Sequence, residues 1–246
     1  MATNYDDITD DYLKAADHPI KKHCEAFTLL QVLGNVQAKS LLDLACGDGY
    51  YTRLIKQQGT FQTVGGDISQ KMIDRARRTE MANPQGIIYQ TGDITKLGRI
   101  GQFDRVTAVF LFPYAATKKD LTAMFQTIYA NLKPRGKLVS ITVDPNLKED
   151  DLPIFERYGV TLVAEAGLQD GTMMTATIAV ADGNSFTLQN YHWKKATYES
   201  IIHRVGFQGI RWHPIQVSET GIKEYGAAYW QTYAKKPYGM VLECEK

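Results

Sequence analysis

A chain of 246 residues, 44% apolar and 22% charged, has the balance of one soluble globular domain and can bury a core without disulfide or metal staples. Its 28 Lys and Arg against 27 Asp and Glu leave a net charge of +1, which argues against an electrostatic nucleic-acid binder. Three scattered cysteines (Cys24, Cys46, Cys244), no cationic signal-peptide start and no apolar run long enough for a bilayer lead to the expectation of a cytoplasmic protein with no metal site.

The first seventeen residues hold five aspartates, yet Tyr5, Ile8, Tyr12 and Leu13 recur at helical spacing and predict an amphipathic helix. Pro19 opens a second helix with Ile20, Cys24, Phe27 and Leu30 on one face. From Ser40 onward, short apolar runs alternate with helical patterns, the signature of stacked β-α units on a parallel sheet. Strands are expected at 40–44, 61–66, 86–91, 103–111 and 137–143, and helices at 50–58, 69–81 and 117–132. Thr117 and Asp120 are placed to cap the last helix.

Residues 146–193 break the alternation. Three strands, at 160–164, 172–180 and 184–193, with turns at Asp170-Gly171 and Asp182-Gly183-Asn184, read as an antiparallel insertion. A helix around Tyr198, a strand at 209–212, a helix at 218–233 and a closing strand at 239–244 complete the chain. The expected plan is a single domain over 1–246, with a helical lid at 1–36 and a β cap at 146–193.

Three acids fall at strand ends. Asp43 precedes the turn Ala45-Cys46-Gly47-Asp48-Gly49, whose glycines let backbone approach a ligand at a helix start. A dinucleotide fingerprint wants a third glycine where this chain has Thr52. Asp67 closes the second strand, where a carboxylate can accept both hydroxyls of a ribose, and Asp93 closes the third, within reach of an adenine amino group. In an open parallel sheet all three converge on the crevice at the carboxyl ends of the strands.

From about Ser40 to Thr142 the chain resembles the class I S-adenosylmethionine-dependent methyltransferases. The matching segments are Asp43-Leu44-Ala45-Cys46-Gly47-Asp48-Gly49, Asp67, Asp93-Ile94, Phe103-Asp104-Arg105-Val106 and Leu132-Lys133-Pro134-Arg135-Gly136. Gly66 departs from the family, which more often has an apolar residue there. The resemblance implies an α/β, Rossmann-like, seven-stranded sheet ordered 3-2-1-4-5-7-6 with the last strand antiparallel. It implies S-adenosylmethionine as cofactor and S-adenosylhomocysteine as product, held by Tyr12, Asp43, Ala45, Cys46, Gly47, Gly49, Asp67, Ile68, Met72, Gly92, Asp93, Ile94 and Leu111. Phe110-Leu111-Phe112-Pro113-Tyr114 lacks the acid or amide and the second proline of the base- and glutamine-modifying enzymes. The insertion resembles that of small-molecule methyltransferases of bacterial secondary metabolism, with the toxoflavin-type N-methyltransferases as one example.

Methyl transfer is an in-line displacement that needs aligned donor and acceptor and often a base. The catalytic candidates are His192, Tyr114 and Asp144, and the acceptor is expected among Tyr5, His18, Phe112, Tyr114 and His192. Each has a plainer role: packing for the aromatics, a turn cap for Asp144 and a structural hydrogen bond for the histidines. Cys46 reads as a small buried filler. The expected partner is a small molecule acting as an N, O or C nucleophile, with no nucleic acid and no membrane. The aromatic set Tyr225, Tyr229, Trp230 and Tyr233 suits core or a homodimer interface. Two rivals stand beside this reading: a non-catalytic cofactor-binding module, and a nicotinamide-dependent oxidoreductase, which Thr52 disfavours.

Overall fold

The computed structural model describes residues 18–180 and 183–246. Tyr5, Tyr12 and the first expected helix lie outside them, as does Asp182 of the second hairpin. Five parallel strands, β1 (Ser40–Leu44), β2 (Gln62–Asp67), β3 (Ile87–Thr91), β4 (Phe103–Val109) and β5 (Leu132–Val143), form most of one sheet. The order β3-β2-β1-β4-β5-β10-β9 is the one expected. β10 (Gly239–Glu245) runs antiparallel between β5 and β9 (Gln208–Pro214).

Alternation along the central strands divides the core into two layers. Leu42, Val106 and Leu138 pack on one side with Phe125 and Ile202, while Leu41, Val139 and Ile141 pack on the other with Leu29 and Trp230. Each such side chain contributes about 1.5–3 kcal/mol on burial, an upper figure because the unfolded chain is not fully extended. The helices flanking the sheet are α1 (Ala26–Leu33), α2 (Tyr50–Lys56), α3 (Gln70–Ala82), α4 (Lys118–Asn131), α5 (Lys195–Val205), α6 (Glu219–Tyr225) and α7 (Ala227–Lys235). Thr117 and Asp120 form the capping box of α4.

Two helices differ from expectation. A π turn at Lys21–Glu25 leads into α1. Its wider turn shifts the phase, so Ile20 and Cys24 are buried but Leu29 and Leu33 follow them, leaving Phe27 and Leu30 half-buried. The helix expected at 218–233 is split by Gly226, whose φ of 83° and ψ of 149° no α-helix accommodates. Residues Glu149–Tyr158, unassigned from sequence, form short 3-10 turns.

The insertion is a separate antiparallel sheet of β6 (Val160–Ala164), β7 (Thr172–Ala179) and β8 (Ser185–His192). Its register stacks Val160, Ile178 and Phe186 in one row, Leu162, Ala176 and Leu188 in the next, and Ala164, Met174 and Asn190 in the third. With a period of two, all nine lie on one face and all but Asn190 are apolar; the next row in the same phase, Thr172 and His192, is polar. The Trp193 indole N–H donates to the Ala115 carbonyl at 2.9 Å, tying the end of the cap to the loop after β4. Among the described residues no helix is long and apolar enough to cross a membrane.

Candidate active site

Strand order reverses between β1 and β4, so a crevice opens at their carboxyl ends. It holds a cavity of about 440 Å³ that runs from the turn after β1 to the inner face of the cap. Gly47 has φ of 55° and space where a Cβ would project. Gly49 has φ of 83°, and a Cβ there would stand 2.4 Å from the Tyr89 hydroxyl. The turn is fixed from β2: the Cys46 N–H donates to the Gly66 carbonyl at 3.1 Å, and the Gly47 N–H donates to Asp67 Oδ2 at 2.8 Å. The Ser69 N–H donates to Asp67 Oδ1 at 2.9 Å, and the Ser69 hydroxyl caps α3 by accepting from the Met72 N–H.

At the end of β3, Asp93 Oδ1 accepts from the N–H and hydroxyl of Thr95, and Lys96 Nζ lies 3.1 Å from Oδ2. Burial alone would raise this carboxyl, but those hydrogen bonds hold it below the ordinary value. The cavity lining is acidic, with Glu25, Asp48, Asp67, Asp93 and Asp120 against Lys21, the sole Lys or Arg among its described residues. A cationic ligand is favoured in such a field.

Comparison with known proteins agrees with this geometry. Residues 41–136 match the family model described as a methyltransferase domain. The chain is 29% identical over 142 residues to an uncharacterized protein of Haemophilus influenzae, an alignment spanning 54% of each chain. It is 26% identical over 194 residues to a ubiquinone/menaquinone biosynthesis C-methyltransferase of Desulfotalea psychrophila, covering 77% of this chain and 74% of that one. A crystal structure of an S-adenosylmethionine-dependent methyltransferase from Mesorhizobium loti superposes with a TM-score of 0.63 at 21% identity, covering 89% of this chain and 96% of that one. Over residues 41–136 the chain is thus similar to the methyltransferase domain family, and its fold is that of S-adenosylmethionine-dependent methyltransferases of known structure.

The residues present fit the methyltransferase cofactor. Ile68 is 66% exposed yet lines the cavity with Ile94, Leu97 and Met72, which makes an apolar slot for a flat ring. The Gln90 Nε2, at the same slot, is buried with no partner, a donor facing a region where a purine would bring acceptors. The open space at Gly47 admits a ligand against the backbone.

Of the residues named from sequence, Ala45, Cys46, Gly47, Asp67, Ile68, Met72, Gly92, Asp93, Ile94, Leu111, His18 and Tyr114 line the cavity. Asp43, Gly49, Phe112, Asp144 and His192 do not. Asp43 is buried behind the turn, accepting from the Thr52 hydroxyl at 2.5 Å and the Thr107 hydroxyl at 2.7 Å, and burial pushes its pKa up to about 6. Its carboxylate braces the start of α2 instead of facing the cavity. Gly49 is the N-cap of α2. Phe112 is fully buried, stacked on Phe125 at 4.2 Å, so the wall beside β4 comes from Phe110, Leu111, Pro113 and Tyr114. Asp144 accepts from the N–H and side-chain amide of Asn146 and closes a turn. His192 follows Asn190 on the cap but lies past the cavity, and burial pushes its imidazole below the usual range. His18 uses both ring nitrogens: Nε2 pairs with the Tyr158 carbonyl at 2.8 Å and Nδ1 accepts from the Ile20 N–H.

Lining residues that the sequence did not single out include Lys21, Glu25, Gln90, Phe110 and Asn190. Lys21 and Glu25 sit on the π turn, which no apolar period announces. Phe110 has φ of 53°, a left-handed conformation uncommon for an aromatic residue, and its N–H donates to the Ile141 carbonyl. The signal for Asn190 was present: an amide in the inward phase of Phe186-x-Leu188-x-Asn190.

Proposed function

We propose that this protein transfers the methyl group of S-adenosylmethionine to a small-molecule acceptor with an apolar body, held between the ends of β4 and β5 and the cap. The observation that carries the reading is the continuity of one cavity from the Gly47 turn and Asp67 to the apolar rows of β6, β7 and β8. A donor site and an acceptor site that share walls satisfy the proximity requirement of a displacement reaction. The cofactor supplies an electrophilic methyl on a sulfonium centre.

The chain's own residues would divide the work. Asp67, which holds the Gly47 turn and the Ser69 N–H, would accept the ribose hydroxyls. Asp93 and Gln90 would face the adenine edge. Lys21, with Nζ 4.5 Å above the Tyr50 ring, suits the carboxylate at the amino-acid end. Leu111, Pro113 and Tyr114 would close the wall beside the reacting atoms, while the cap excludes water. Tyr114 is the candidate that could orient the acceptor. The catalytic roles first read for Asp144 and His192 have no support in their positions, since neither lines the cavity.

The C-methyltransferase among the relatives keeps carbon beside nitrogen and oxygen as the nucleophile, and a secondary-metabolic role belongs to this same proposal. The test is to incubate the protein with S-adenosylmethionine and panels of apolar phenols, amines and enols, and to measure S-adenosylhomocysteine release. Release that depends on one panel supports the reading. Tight S-adenosylhomocysteine binding with no release from any panel favours the non-catalytic module.

A further inference from the structure

Of the cap rows that reach the cavity, the first two are apolar and the third sets Asn190 beside Met174 across the ladder; the next row, Thr172 and His192, lies past the cavity. Asn190 is 9% exposed, lines the cavity, and its Oδ1 is buried with no partner. A buried amide oxygen left unpaired is costly, so a sheet that needed only packing would carry a third apolar residue here.

Across the same cavity Glu25 is 4% exposed. Its carboxylate accepts from the Tyr51 hydroxyl at 2.5 Å and, through its other oxygen, from the Tyr238 hydroxyl. No Lys, Arg or His pairs with it among the described residues; Lys21 is drawn instead over the rings of Tyr50 and Tyr51, at 4.5 and 5.9 Å. Tyr238 stacks on Phe110 at the end of β4 and Tyr51 lies on α2, so the carboxylate stands between the β4 end and the start of α2. Two phenol hydroxyls occupy two of about four lone-pair sites, and a carboxylate has only acceptors to offer.

We propose that Asn190 and Glu25 select the acceptor, and that it is an apolar molecule presenting a hydroxyl or amine donor and carrying no carboxylate. The inference rests on the methyltransferase reading above. An apolar body fills the rows under the cap, a donor satisfies the orphaned polar edge, and an anion is repelled by the unpaired carboxylate.

The test uses protein saturated with S-adenosylhomocysteine and three calorimetric probes of equal apolar length: para-octylphenol, para-octylanisole and para-octylbenzoate. The phenol should bind about tenfold more tightly than either of the others, because only it brings a donor without a charge. In N190L the phenol-to-anisole ratio should fall below about threefold, with the affinity for S-adenosylhomocysteine unchanged as the check on folding. In E25Q the benzoate should gain affinity relative to the anisole. Equal binding of phenol and anisole by the unaltered protein overturns the inference, as does a ratio that survives in both variants. Failure of all three probes to saturate overturns it too, since the apolar body is part of it. Failure of S-adenosylhomocysteine itself to bind sinks the methyltransferase reading first, and this inference with it.

Discussion

The N–H of Gly47 donates to Asp67 Oδ2 at 2.8 Å, so the carboxylate at the end of β2 also fixes the glycine turn that follows β1. One side chain thereby links two neighbouring strand ends. It shapes the turn that lines the cavity.

Replacing Asp67 with Ala should therefore act twice, by removing a ligand contact and by releasing the Gly47 turn. We expect affinity for S-adenosylhomocysteine to fall by about a hundredfold, in line with loss of charge-assisted hydrogen bonds. The melting temperature should drop only slightly, because the residue is half-buried at the mouth of the site. Calorimetric titration of the variant checks this, and unchanged affinity would exclude Asp67 from the donor site.

Gly49→Ala should be severe despite its small size. The position has φ of 83°, and the new methyl would meet the Tyr89 hydroxyl at 2.4 Å and Arg53 Nη1 at 2.8 Å. The backbone conformation alone costs about 1–2 kcal/mol, and the displaced Tyr89 adds to it. A lower denaturation midpoint together with weakened S-adenosylhomocysteine binding is expected. Gly47→Ala, which meets nothing, should keep more of the stability while obstructing the ligand.

Asp43 gives a pH signature. Burial raises its folded-state pKa to about 6 from an ordinary 3.8, against the two threonine hydroxyls that lower it. A raised value means that its contribution to stability is greatest below the unfolded pKa and is lost as pH rises through the folded one. Asp43→Asn should flatten the stability profile between about pH 4 and pH 6, because an amide does not ionise there. Thermal melts across that window decide it; parallel profiles for the two proteins would contradict the assignment.

Leu188→Trp should fill the space under the cap without touching the donor site. The acceptor KM should rise by about tenfold or more, and S-adenosylhomocysteine affinity should stay within about twofold. If both constants move together, the cap and the donor site are not the separate compartments described here.

The parallel sheet was legible because β1, β2, β3 and β5 end in turns marked by Gly or Asp and the hydrophobic period changes from two to 3.6 across them, while the strand order came from the family resemblance. The glycine turn, Asp67 and Asp93 were legible for the same reason. What escaped depends on phase. Glu25 lies on a π turn that adds a residue to the helical period, so its side chain faces the cavity from a position that an ideal α-helix would assign differently. Phe112 looked like pocket wall because it follows β4, but the left-handed φ of Phe110 turns the chain so that Phe112 enters the core. Asp43 sits one residue before the end of β1, with both oxygens taken by threonines on α2 and β4, contacts that only the folded sheet brings together.

The most direct measurement is calorimetric titration of the intact protein with S-adenosylhomocysteine and, separately, with NAD, repeated on Asp67→Ala. The account predicts micromolar binding of S-adenosylhomocysteine alone, lost in the variant. Binding of NAD in preference, or of neither ligand, would contradict it.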